Sequence, residues 1–168
     1  MSKTYTLRHT PPRERVLLIS CMDLRLIDNL VRFMAADNLT NRYDQYIMAG
    51  TGFAAYSADP TYRAWLDALW THLEFAYNEH KVRDVYIIQH RNCGMIKANI
   101  ADFGPTKPAQ AKEWALHYKI AGAMKKEILN YAVEKGWNKA KEPFNVQCFM
   151  MDLRGGVKML DTDKELKD

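Results

Sequence analysis

The chain has 168 residues, of which 48% are hydrophobic and 26% charged, a balance typical of one folded domain rather than a disordered segment. The net charge of +4 is too small to predict nucleic-acid binding. No apolar run reaches the length of a signal-peptide core or a membrane span, and the three cysteines form no Cys-x-x-Cys pair. We therefore expect a cytoplasmic protein with free thiols and with neither membrane nor nucleic-acid partners.

The first half of the chain alternates strand and helix signals. Residues 1–15, which include two prolines, are predicted to form an extended or loosely docked arm. An apolar strand follows at residues 16–20, and apolar residues at helical spacing then predict a helix over residues 27–34. A polar linker at residues 37–44 leads to a second strand at residues 45–49, and the glycines after it indicate close approach of the backbone.

The second half repeats the alternation. Pro60 begins a long helix with a wide apolar stripe, which indicates either a subunit contact or deep packing, and residues 85–90 form a third strand. Pro105 and Pro108 bracket a loop before a further long helix that stops at Gly136. Residues 145–151 form a fourth strand, and a Gly-Gly turn returns the chain as a short antiparallel strand at residues 157–160.

This order predicts the α/β class. We expect a single domain over residues 16–160, with a mostly parallel open sheet of about four strands, a short antiparallel edge strand and flanking helices. Residues 161–168 are predicted to be a flexible tail.

Soft metal ligands follow two of the predicted strands. Cys21 comes directly after the first strand, and His90 and Cys93 leave the third. Because ligands bind beyond the carboxyl ends of parallel strands, these side chains belong at one edge of the sheet. Zinc accepts mixed nitrogen and sulfur donors, and three protein ligands leave the fourth position that a catalytic site keeps open. Taken alone, a His-x-x-Cys is more often a capped strand end.

The two motifs together resemble the β-class carbonic anhydrases. That family carries Cys-x-Asp-x-Arg after the first strand and His-x-x-Cys-Gly after the third, found here as residues 21–25 and 90–94. The resemblance is greatest to short members of the family. It implies that Cys21, His90 and Cys93 bind Zn²⁺ and that Asp23 and Arg25 form the catalytic dyad beside it.

The implied reaction is reversible hydration of carbon dioxide to bicarbonate by zinc-bound hydroxide. Asp23 would accept a hydrogen bond from the nucleophile while Arg25 keeps the carboxylate ionised. Two thiolates neutralise zinc more fully than three imidazoles, so activity is expected to rise toward alkaline pH. The resemblance also implies a homodimer or tetramer, because family sites lie at the subunit interface.

Departures from the family concern the substrate pocket, for which we name Leu24, Met48, Gly50 and Gly94. Ile47 and Met48 replace polar residues that family members often carry, and Leu24 is bulkier than the residue usual between Asp and Arg, so that it could crowd the dyad. A more apolar pocket suits carbon disulfide or carbonyl sulfide as an alternative substrate. A second alternative is a non-catalytic zinc protein in which Asp23 closes the metal.

Other candidate ligands have a simpler interpretation. Cys148 is predicted to be a buried core thiol, with a fourth zinc ligand as the alternative. Lys97 is predicted to be an exposed helix residue. The remaining histidines are expected at the surface or on helix faces: His9, His72, His80 and His117.

Overall fold

A computed structural model describes residues 15–139 and 141–162 of the chain. Almost all of the predicted N-terminal arm, and the predicted tail beyond Thr162, lie outside these residues. The described chain contains, in order, β1 (Val16–Ser20), α1 (Ile27–Ala36), β2 (Tyr43–Ile47), α2 (Phe53–Tyr56), a 3₁₀ turn (Pro60–Tyr62), α3 (Arg63–Asn78), β3 (Asp84–His90), α4 (Gly94–Asn99), α5 (Lys107–Glu134), β4 (Asn145–Met151) and β5 (Val157–Leu160).

The five strands form one sheet in the order β2-β1-β3-β4-β5. β1 pairs in parallel with both β2 and β3, β3 pairs in parallel with β4, and β5 returns antiparallel to β4. This topology confirms the predicted α/β class, with four parallel strands and one antiparallel edge strand.

Helices cover both faces of the sheet, which is why the central strands read as unbroken apolar runs. Every residue of β1 and β3 is buried. One face packs against α3 and α5 through residues such as Leu69 and Met124. The other packs against α1 and α4 through residues such as Phe33 and Ile96. Because all four parallel strands point the same way, their carboxyl ends lie together at one end of the sheet.

The starts of β2 and α5 differ from the sequence prediction. β2 runs from Tyr43 to Ile47, two residues earlier than predicted, because the Thr51 N–H bonds to the Met48 carbonyl and turns the chain away from the sheet. β2 lies at the sheet edge and is only partly buried, so its apolar alternation is weak. α5 begins at Lys107, because Thr106 caps it and Pro108 fits its first turn, where no N–H is needed.

The wide apolar stripe of α3 is largely used within the chain. The Trp70 ring stacks on Tyr131 with ring centroids 4.6 Å apart, and Trp65 meets Tyr62 edge to face. Among the apolar residues that widen the stripe, Phe75 is the large side chain that remains exposed. Deep packing therefore accounts for most of the width. None of the described helices is both long and apolar enough to cross a membrane.

The glycines after β2 allow close packing, as predicted. A Cβ on Gly52 would lie 2.9 Å from the Ile120 carbonyl oxygen of α5. Gly50 adopts φ +69°, a conformation that side-chain-bearing residues rarely take. Together these residues bring the end of β2 against α5 and beside Cys21.

Candidate metal centre

Cys21, His90 and Cys93 converge at the carboxyl edge of the sheet. β1 and β3 are adjacent and in register, with Ser20 opposite Ile88, so Cys21 emerges next to the end of β3. The potential ligand atoms of the three residues all lie within 4.8 Å of one another, and all three residues are buried. The structure thus brings together the three residues that the sequence named as metal ligands.

The donor atoms fit zinc. The sulfurs of Cys21 and Cys93 are 4.0 Å apart, and Zn–S bonds of about 2.3 Å in tetrahedral geometry would place them ~3.8 Å apart. The His90 Nδ1 donates to the Arg91 carbonyl oxygen at 3.0 Å, since a carbonyl can only accept. The His90 Nε2 therefore carries the lone pair, and this buried atom has no hydrogen-bond partner among the described residues. An unpaired acceptor beside two thiols is the arrangement that a metal ion completes.

The pKa values of the two thiols are shifted in opposite directions. The pKa of Cys21 is lowered to about 4, chiefly because the Cys93 thiol hydrogen-bonds to it, with His90 and the Gly50 N–H adding to the effect against burial. The Gly50 nitrogen lies 3.3 Å from the Cys21 sulfur. The pKa of Cys93 is raised by the same hydrogen bond and by burial. Cys21 is thus the thiol that more readily becomes a thiolate, the form that binds metal.

Asp23 and Arg25 form a bidentate ion pair beside the three ligands. Arg25 Nε lies 2.8 Å from Asp23 Oδ1, and Nη2 lies 2.5 Å from Oδ2. These bonds hold the pKa of Asp23 at about 2 despite partial burial. Asp23 Oδ2 is also 3.9 Å from His90 Nε2. An ionised carboxylate therefore lies at the edge of the ligand group with its orientation fixed by Arg25.

The four residues named for the substrate pocket occupy different environments. Leu24 is 81% exposed and does not prevent the Asp23–Arg25 pair from forming. Met48 is buried in the core cluster on the α3 and α5 face. Gly50 contacts Cys21 through its N–H, whereas Gly94 is exposed at the first turn of α4, where a Cβ would meet nothing within 4 Å. Of the four, Gly50 is the one that contacts a candidate ligand.

The remaining candidates are mostly placed as the sequence predicted. Cys148 is a buried thiol in β4, it belongs to the core cluster, and it is not among the three grouped ligands. Lys97 is exposed and pairs with Asp102. His72 is exposed on α3 and His80 is partly buried, while His9 lies outside the described residues.

His117 lies on a helix face, one of the two predicted placements, but this face is packed in the interior and not at the surface. This residue of α5 is completely buried, and its Nδ1 lies 2.9 Å from Gln89 Oε1 in β3. The sequence reasoning also missed Glu113, one turn earlier on the same helix, which is buried and accepts hydrogen bonds from Arg91 and Asn92. A signal was present, because both residues continue the apolar stripe of α5 in phase, where a polar residue must find a buried partner.

Solved structures with the same fold support the architecture. The β-carbonic anhydrase CafA of Aspergillus fumigatus aligns with a TM-score of 0.53 at 19% identity, over 91% of this chain and 78% of that one. A Coccomyxa β-carbonic anhydrase in complex with acetazolamide aligns with a TM-score of 0.55 at 17% identity, over 88% and 72%. The fold is therefore that of β-carbonic anhydrases.

The family model described as carbonic anhydrase matches residues 16–162. With the fold and the Cys-His-Cys group, this match shows that the chain belongs to the β-carbonic anhydrase family. Two rickettsial proteins are each 28% identical to it: one from Rickettsia bellii over 86% of this chain and 80% of that protein, and one from Rickettsia conorii over 86% and 70%. Both are named only as uncharacterised proteins.

Proposed function

We propose that the protein is a zinc-dependent carbonic anhydrase, a lyase that interconverts carbon dioxide and bicarbonate. The observation that supports this most strongly is the buried Cys21, His90 and Cys93 group beside an Arg25-bound Asp23. These three side chains would hold the metal, and a carboxylate fixed by Arg25 lies beside them. A bound zinc ion would supply a Lewis acid that lowers the pKa of a water molecule and so provides the nucleophile.

Asp23 orients that nucleophile. Because its pKa is about 2, its carboxylate is ionised at any physiological pH and can only accept a hydrogen bond from the attacking water. It is too weak a base to keep the proton, which leaves to buffer when water and carbon dioxide become bicarbonate. Arg25 engages both carboxylate oxygens, and this supports an Asp23 that serves the water rather than one that closes the metal.

We also infer a homodimer or a tetramer built from dimers. Five large apolar side chains between residues 22 and 47 are 50–81% exposed: Met22, Leu24, Ile27, Val31 and Ile47. Ile27 and Val31 lie one turn apart on α1, and Ile47 ends the edge strand β2 on the sheet face that α1 covers. An apolar surface of this kind, beside a strand edge of β2 that no other described strand pairs with, favours association with a second copy.

The same chemistry supports a cytoplasmic location. All three cysteines are free, and two of them belong to the proposed metal site. Such thiols remain available for metal in a reducing compartment.

Stopped-flow hydration of carbon dioxide by the zinc-loaded protein tests the reaction. We expect catalysis that rises between about pH 6.5 and 9, since a thiolate-rich site acidifies water less than a three-histidine site. Asp23→Ala should reduce the rate by about 100-fold or more, whereas the control Asp28→Ala, on the exposed side of α1, should not. No hydration despite one zinc per chain would refute the proposal. If that protein instead released hydrogen sulfide from carbonyl sulfide or carbon disulfide, one of these compounds would be the substrate.

A further inference from the structure

The turn that joins His90 to Cys93 is fixed through the backbone of Asn92. Asn92 adopts φ +56°, a left-handed conformation that asparagine takes more readily than other non-glycine residues. Its N–H donates to Glu113 Oε1 of α5, and its carbonyl oxygen accepts from Arg25 Nη2 at 2.9 Å. The turn is therefore bound on one side by a long helix and on the other by the Asp23–Arg25 pair.

Glu113 binds both residues that lie between the two ligands. Its Oε2 accepts from Arg91 Nε at 3.1 Å and from Nη2 at 2.8 Å, while Oε1 accepts from the Asn92 N–H. The Glu113 side chain is only 5% exposed. A buried carboxylate with three donors is rigid, because any departure would leave a desolvated charge without partners.

We propose that Glu113 is a positioning residue that sets the spacing of the metal ligands His90 and Cys93. It acts through the Asn92 N–H, and through the same residue it fixes the carbonyl that anchors Arg25. α5 thereby couples the ligand turn to the dyad, although no side chain of α5 belongs to the proposed ligand set. The inference rests on the proposed function only in taking Cys21, His90 and Cys93 as the metal ligands.

The test separates the hydrogen bond to Asn92 from the ion pair to Arg91. Removing one ion-pair partner alone would leave a buried charge uncompensated and could unfold the protein. We therefore compare two double variants, Arg91→Met/Glu113→Gln and Arg91→Met/Glu113→Met. Both lack the ion pair and its charges, and their side chains at position 113 are similar in volume. The glutamine can still accept from the Asn92 N–H, and the methionine cannot. Glu134→Gln, exposed at the end of the same helix, is the control.

Zinc affinity by chelator competition and the visible spectrum of the cobalt-substituted protein are the readouts. We expect the glutamine variant to keep the wild-type spectrum and zinc affinity within about twofold, and the methionine variant to lose about 10-fold in affinity with altered cobalt bands. Equal zinc affinity and identical spectra in both variants, with a fall only in melting temperature, would overturn the inference. Equal loss in both variants would overturn it too, because the ion pair would then carry the effect.

Amide hydrogen exchange of the wild-type protein provides a measurement that does not depend on variants folding. Asn92 is an exposed residue, yet the bond to buried Glu113 predicts slow exchange of its amide. Rapid exchange of that amide would refute the inference. Zinc affinity, the cobalt spectrum and amide exchange are all independent of turnover. A protein that binds zinc without hydrating carbon dioxide would therefore refute the proposed function and leave the role of Glu113 intact.

Discussion

Charging of His117 is predicted to destabilise the folded protein in mild acid. The imidazole is fully buried, and burial lowers its pKa to about 4, an effect that Glu113 partly opposes while His90 and Arg91 add to it. The ordinary pKa of a histidine is about 6.5. Between these two values the unfolded chain binds a proton that the folded chain does not bind.

The sign and size of the effect follow from this difference. Stability falls as pH drops below the unfolded pKa, because the unfolded state then holds more protons than the folded state. With a folded pKa of about 4, His117 removes about 2 kcal/mol of unfolding free energy by pH 5 relative to pH 7.5. The loss is complete only when the pH falls below the folded pKa.

Urea unfolding of the metal-free protein at about pH 7.5 and pH 5 measures the effect against His117→Gln. The glutamine can still donate to Gln89 Oε1 but has no proton to gain, and other titrating groups cancel in the comparison. We expect wild type to lose about 2 kcal/mol more than the variant between the two pH values. His72→Gln, on the exposed side of α3, should behave as wild type. An equal loss in wild type and His117→Gln would refute the reasoning.

Three further outcomes are expected at the metal centre. Cys93→Ser should abolish stoichiometric zinc binding, whereas the control Cys148→Ser should retain one zinc per chain. Metal analysis after dialysis measures this, and retention of zinc in both variants would show that Cys93 is not a ligand. Gly50→Ala should cost about 1–2 kcal/mol in urea unfolding, because its φ is +69° and the new Cβ would lie 2.9 Å from Met95, and an unchanged midpoint would contradict this. Arg25→Met removes the bonds that hold the pKa of Asp23 at about 2, so this pKa, followed by NMR of the carboxyl carbon, should rise toward its ordinary value, and an unmoved pKa would show that Arg25 does not control that carboxylate.

Local sequence was sufficient for the central strands and for the proximity of the three candidate ligands. β1, β3 and β4 are short apolar runs bounded by polar residues, and their lengths were predicted to within one residue because central strands must be apolar on both faces. The two motifs follow β1 and β3, and adjacent parallel strands necessarily bring their carboxyl ends together. Proximity of the ligands was therefore implied by the order of elements.

Features that depend on the docking of distant elements were decided only by the tertiary structure. The edge strand β2 carries little apolar alternation, so pairing with β1 set its bounds. The helical phase of Glu113 and His117 indicates burial, but a sequence does not reveal that α5 lays them against the end of β3, more than twenty residues away. The sequence left a fourth zinc ligand as the alternative role of Cys148. The pleat directs Cys148 into the core, while the end of β1 places Cys21 beside His90, because side-chain direction in a strand is fixed by register and a strand end is free to turn.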